Sequence, residues 1–394
     1  MYTRNKNFIF TMVVIAIAIG NAGSTLYLPA LVTIAHKLNT TNSLVKISLA
    51  CYLLTFGLSQ LLYGPMSDAW GRKKVLISGL GIFLLGSIIA SLATNISLLL
   101  CGRLIEGAGI GAANAVGYAL IRDIYSGNEL TRKLSYVSIF VGITPIIAPL
   151  CGGYLVGYFN WQACFITLSI LAFGLILMQL YKLPETNQNL NKKAINPDII
   201  IKNYYTALTN LNYLSYILAV SVGFAAILCL NSVLPFIMIK NLGVSPSHYG
   251  WLTLCTGAGY LSGSFVGGVV AVKFGAKLTI KIGAIIQIAA SVLGLVVAFF
   301  FYDIQAVLLP LIIVLFGVGF IVPIGAGGAM AIFPQMAGSA AALLGTMMFG
   351  ISSIFTSLVA HLPTETQKPL FIFLLFLGAL AWFIVSFIGA KKNV

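Results

Sequence analysis

The sequence predicts an all-α membrane protein of twelve transmembrane helices arranged as two six-helix bundles. Composition is the first ground: 59% of the 394 residues are hydrophobic and only 8% are charged. A soluble fold has too few polar residues here to cover its surface, so the solvent is lipid. The second ground is a series of unbroken apolar runs, each near the roughly 20 residues that cross a bilayer as a helix. A membrane barrel instead needs strict alternation of apolar and polar residues. The third is a repeat. A basic, glycine-bearing stretch with Gly64, Gly71 and Lys73 recurs as Gly268, Gly275 and Lys277, with Val272 where Asp68 stood.

In order, the spans fall at 8–31, 44–65, 75–94, 98–121, 134–157 and 161–182, then at 213–238, 247–270, 278–300, 306–329, 340–361 and 369–389. The first resembles a signal peptide, with Arg4 and Lys6 ahead of an apolar run from Phe8 and Ala22-Gly23-Ser24 as a cleavage site. That run continues to Ala35, long enough to span, so it reads as an uncleaved helix. Residues 183–212 carry Lys192, Lys193, Lys202, Glu185 and Asp198 and are the one stretch that reads as a linker. They divide the chain into an N-terminal bundle (1–182) and a C-terminal bundle (213–394). Twelve spans put both termini and this linker on one side.

The charge pattern says which side. Of the 22 Lys and Arg, only Lys37, Lys46, Lys240 and Lys368 fall on the opposite side, and Arg103 lies within a span. The remainder gather at the termini, the linker and the loops of that side, which makes it the cytoplasmic one. The net charge of +14 is therefore sorting, not a nucleic-acid surface. Six cysteines show no CxxC and no metal-ligand spacing, and read as reduced packing residues. No phosphate-binding GxxxxGK[ST] loop is present. Gly107-Ala108-Gly109-Ile110-Gly111 imitates a dinucleotide fingerprint but sits inside a span, where small residues serve close helix packing. No intramembrane catalytic cluster marks an enzyme, and no cofactor or metal is expected.

Residues 63–74 read as a tight polar turn between the second and third spans. Their order, Gly64, Asp68, Gly71, Arg72, Lys73, resembles the signature loop of the major facilitator superfamily of secondary transporters. Other elements point to the same family. Arg103 and Gly107 in the fourth span resemble its R-x-x-x-G element, and Arg122-Asp123 the R-D pair that ends that span in drug-transporting members. Gly142, Pro145, Pro149, Gly152 and Gly153 in the fifth resemble its antiporter motif. Tyr27-Leu28-Pro29, Trp161 and Leu183-Pro184-Glu185-Thr186 resemble the Bcr/CflA drug-resistance branch.

That resemblance implies a bacterial inner-membrane carrier, monomeric, which exports amphiphilic drugs or small metabolites in exchange for protons by alternating access. An inward-working or uncoupled metabolite or siderophore permease is the alternative. Its support is Thr25, which stands where the branch usually carries an acid. Burial brings a membrane carboxylate toward reversible protonation near neutral pH. Glu106, paired with Arg103 three residues away on the same helix face, is therefore the replacement proton site. Arg122 is expected to reach Asp68 across the cytoplasmic surface and latch the outward-open state, the contact breaking when that side opens. By analogy with the family, Asn21, Tyr27, Asn114, Tyr118, Phe224 and Asn231 would line the substrate cavity.

Overall fold

A computed structural model of the chain describes residues 6–187, 190–191, 195–333 and 337–388; Arg4, Lys192 and Lys193 lie outside them. Twelve helices are long and apolar enough to cross a membrane, and no strand occurs among the described residues. The first span is α1 (Lys6–Thr25), a 3-10 turn at Leu28–Ala30, and α2 (Leu31–Lys37). It is not the single helix expected, because Pro29 has no N–H to carry a helical ladder through the turn. Spans two to six are α3 (Asn42–Trp70), α4 (Arg72–Ser91), α5 (Ile96–Ile124), α6 (Gly127–Tyr158) and α7 (Gln162–Lys182). Seven to twelve are α9 (Leu211–Pro235), α10 (Pro246–Phe274), α11 (Ala276–Phe300), α12 (Ile304–Ile332), α13 (Ala337–Ala360) and α14 (Lys368–Phe383).

Polar residues start many of these helices. Thr41, Asn95, Asn210, Ser245 and Asp303 each accept a hydrogen bond from a backbone N–H of the first turn that they cap. The helices also run past the apolar limits. α3 continues to Trp70 and α4 begins at Arg72, so the turn expected over 63–74 shrinks to Gly71 alone. Gly71 has φ +100°, a conformation glycine adopts freely. Gly64 is helical and takes no part in the turn. Gly275, the counterpart of Gly71 in the repeat, joins α10 to α11 at φ +81°.

The linker contains a helix that composition alone did not reveal, α8 (Pro197–Thr209). Asn196 caps it and Pro197 fits its first turn. One face of α8 buries Ala207 beside Tyr213, Ile217 and Leu343. From the same helix, Tyr204 donates to the Leu61 carbonyl of α3 at 3.2 Å. That acceptor is available because Pro65, four residues on, cannot donate to it. Burial pushes the Tyr204 hydroxyl up to about 12, so it remains a donor.

Two large apolar cores result, one mainly from α1–α7 but taking in Leu228, Phe236 and Phe349 of the second half, and one from α9–α14; Phe224 and Met348 pack against both. Large apolar side chains such as Leu62, Leu92, Ile170 and Val269 remain exposed, as lipid contact requires. Within the first core α4 and α5 approach very closely. A Cβ on Gly86 would lie 2.7 Å from the Gly102 carbonyl oxygen, and one on Gly102 would lie 2.9 Å from that of Gly86. Gly81, on the same helix, has nothing within 4 Å. Gly86→Leu should cost about 1–3 kcal/mol by overpacking, while Gly81→Leu should stay within about 0.5 kcal/mol of the parent. Denaturant unfolding of the purified protein measures both.

Candidate functional site

α5 carries two charged side chains with no exposure, enclosed by rings of the first span, α3 and α7 and by a serine of α4. Arg103 and Glu106 are both 0% exposed. Arg103 Nη1 donates to Glu106 Oε2 at 2.5 Å, and Ser87 Oγ on α4 donates to Glu106 Oε1 at 2.5 Å. The guanidinium lies between two rings, 4.4 Å from the centre of Tyr27 and 4.1 Å from that of Tyr52, with Phe165 at 5.8 Å. Tyr27 is held by a 3.0 Å bond to Ser48 Oγ, and Tyr52 donates to the Gly20 carbonyl at 2.6 Å. Arg103 Nε and Nη2 have no hydrogen-bond acceptor. Aromatic faces stabilise the cation there instead, an interaction worth about 2 kcal/mol or more when desolvated. The box can hold Glu106 as an ion-pair partner or as a neutral acid beside a cation kept by rings. Thr25 is buried and bonds only the Asn21 carbonyl of its own helix.

A second polar cluster lies at the end of the bundles that bears the linker, here the linker face. Arg72 Nη1 pairs with Asp68 Oδ1 at 2.6 Å, and Arg72 Nε with Asp123 Oδ2 at 3.1 Å. Thr186 Oγ1 donates to the same Asp123 oxygen at 3.0 Å. The Glu185 carboxylate accepts from the backbone N–H groups of Arg72 (2.9 Å) and Lys73 (3.2 Å), capping α4 where the helix dipole favours an anion. Lys73 Nζ reaches the Leu180 carbonyl at 2.9 Å. No ion pair joins Arg122 to Asp68 among the described residues; Arg72 takes that place. Neighbours on a helix leave it about 100° apart, so with Asp123 turned to α4 and α7, Arg122 points elsewhere. All these contacts stay within α3, α4, α5, α7 and the start of the linker.

The main contacts between the halves run from the middle of the spans to the far end, opposite the linker face. On one side α13 hydroxyls donate to α3 carbonyls, Thr346 to Gly57 (2.8 Å) and Ser353 to Ala50 (2.7 Å). Phe349 stacks on Phe56 at 4.1 Å and meets Phe224 edge-on at 5.4 Å. On the other side α6 packs on α10. Trp251 donates to the Tyr154 hydroxyl at 3.2 Å, and Gly153 lies against the Pro246 backbone. Gly152 instead lies against Leu26 of its own half. Gly142 has no such neighbour, and Pro145 and Pro149 lie inside α6.

Between these seams the exposure is one-sided. Half-exposed positions on the four inner helices sit toward the linker face: Ala18 and Ala22, Asn114 and Tyr118, Tyr216 and Phe224, Ile324 and Met330. Toward the far end, 23–31 and 232–238 are buried without a break. These helices are therefore less tightly covered toward the linker face than toward the far end. Asn114, Tyr118, Phe224 and Asn231 are half-buried. Asn21 is buried and bonds the Ile17 carbonyl of its own helix (2.9 Å), and Tyr27 belongs to the arginine box. Sequence reasoning missed Ser87, Tyr52 and Phe165 around Arg103, and Thr346 and Ser353 on the seam. A serine beside Gly86 was a weak signal for the first.

The sequence profile described as the Major Facilitator Superfamily matches residues 13–357. Multidrug resistance protein D of Escherichia coli is 29% identical over 378 residues, covering 96% of this chain and 94% of that protein. A bicyclomycin resistance protein homolog of Haemophilus influenzae is 26% identical, covering 88% and 87%. A crystal structure of a D-xylose-proton symporter shares the fold with TM-score 0.78 at 17% identity, over 95% and 96% of the two chains.

The asymmetry of the buried pair can be tested. Arg103 cannot shed its charge, whereas a carboxyl can take up a proton. Glu106→Leu should cost about 3–5 kcal/mol by stranding the cation. Adding Arg103→Leu should recover most of that loss. Unfolding free energies of the two single variants and the double variant check it.

Proposed function

The chain belongs to the Major Facilitator Superfamily, and on that premise we propose that it exports an amphiphilic solute in exchange for protons across a bacterial inner membrane, the space between its halves opening to one side at a time. The fold is that of transporters, and its relatives include a multidrug and a bicyclomycin resistance protein. Basic residues crowd the linker face, which makes it the cytoplasmic side. The space between the halves would then load from the cytoplasm, with Asn114, Tyr118, Phe224 and Asn231 as candidate contacts for a solute of mixed polarity. The halves 1–182 and 213–394 would rock about the linker, and the Arg72 cluster would keep the first half rigid as they do.

One observation carries the coupling: Glu106 is held inside a span, against a permanent cation and a serine donor. Such a carboxyl has two states that differ by a full charge in a low dielectric, so its protonation biases whatever moves around it. A proton entering down a potential of about 100 mV supplies about 2.3 kcal/mol. That sustains a gradient of about fiftyfold for a neutral solute. Thr25 favours a second reading, an inward or uncoupled permease, since the first span offers no acid.

Glu106→Gln keeps the shape and the Ser87 contact but cannot bind and release a proton. In proteoliposomes it should abolish stimulation of transport by a pH gradient while solute exchange without a gradient continues. Stimulation equal to that of the parent would remove Glu106 from the mechanism. A parent protein indifferent to the gradient would establish the second reading.

A further inference from the structure

The far end of the molecule is closed around a lysine. Lys46, near the start of α3, is 1% exposed. Its ammonium donates to the Leu362 carbonyl, in the turn between α13 and α14, at 3.3 Å. It lies 5.7 Å from the ring centre of Phe236, just beyond α9. Both partners belong to the second half, whereas Lys46 belongs to the first. It forms no ion pair among the described residues. Glu365, exposed in the same turn, influences it only at longer range. A buried ammonium with one carbonyl and one ring face is poorly compensated for its loss of water.

We infer that Lys46 makes the far mouth select against cations, so that the solute carried is neutral or anionic. The inference rests on the transport reading given above. A residue bonded across the two halves at the closed end lies on the seam that must part for release. When it parts, the Leu362 carbonyl and the Phe236 ring withdraw and the ammonium stays at the mouth, hydrated and charged. Nothing on the route offsets it for a cation. Glu106 is already matched by Arg103, and Thr25 offers no charge. At the far end Lys37, Lys240 and Lys368 face only Asp303 and Glu365 as acids. Like charge in a narrow passage is strongly unfavourable, and an anion meets attraction at the same place.

The test uses the full-length protein in proteoliposomes, measured as exchange without a pH gradient so that a failure of proton coupling does not enter. Three probes share one aromatic scaffold and carry a sulfonate, an amide or a quaternary ammonium. The parent should exchange the anionic probe at least about tenfold faster than the cationic one. Lys46→Gln should bring that ratio near one, and Lys46→Arg should preserve it. Equal rates for anion and cation in the parent, or a ratio that Lys46→Gln leaves unchanged, would overturn the inference. Should Lys46→Gln fail to fold, the parent ratio alone decides. Exchange of none of the three probes would overturn the transport reading and this inference together.

Discussion

The two halves touch along a seam that is weak at each point, and the architecture turns on that weakness. α3 and α13 run antiparallel, and Thr346→Gly57 and Ser353→Ala50 hydrogen bonds recur at one heptad's spacing on both helices. Interhelical bonds of this kind in a membrane contribute on the order of 0.6–2 kcal/mol each, and lipid supplies no hydrophobic drive to add to them. Close packing at Gly57 and the Phe56–Phe349 stack contribute the remainder. A seam built from such small terms holds one state without preventing another. At the linker face the Tyr204 bond to the carbonyl freed by Pro65 ties α8, seated on the second half, to α3 of the first. Together these contacts leave the far end of the inner helices more continuously buried than the end toward the linker.

The strong interactions lie inside the bundles. Arg103 and Glu106 are enclosed by Tyr27 of the first span and by α3, α4 and α7 side chains, and the Arg72 cluster binds α3, α4, α5 and α7 together. The buried Arg103–Glu106 pair stiffens its half, since parting it would strand an ion in a low dielectric, whereas the partly exposed Arg72 cluster holds by the number of its contacts. Rigid bundles joined by a seam of weak contacts are what a rocking motion requires. Lys46 is the exception, a buried charge on the seam itself, and for that reason it bears on what passes.

How far the sequence revealed this differs by feature. The twelve spans were plain because a bilayer imposes length and apolarity on each helix separately, and Gly71 and Gly275 marked the repeat because only a residue tolerant of positive φ fits there. Arg103 and Glu106 stood out as charges inside apolar runs at helical spacing. Their rings did not, because Tyr52 and Phe165 look like any other apolar-face residues until the helices are assembled. The helix in the linker was obscured by its short length and mixed composition. The Arg122–Asp68 contact was expected only while the linker face is shut, so its absence from the ion pairs among the described residues neither supports nor removes it. The seam hydroxyls of Thr346 and Ser353 were invisible because threonines and serines also satisfy the local backbone in countless helices that bridge nothing.

Whether the far seam opens as the linker face closes decides the account. Paired spin labels at Thr41 and Thr366 across the far end, and at Ser126 and Ala331 across the linker face, report the two gaps in one protein reconstituted in lipid. Opposed changes as solute and pH are varied, one distance lengthening while the other shortens, are what the account predicts. A far-end distance that stays fixed under every condition, with the linker face always open, would contradict it.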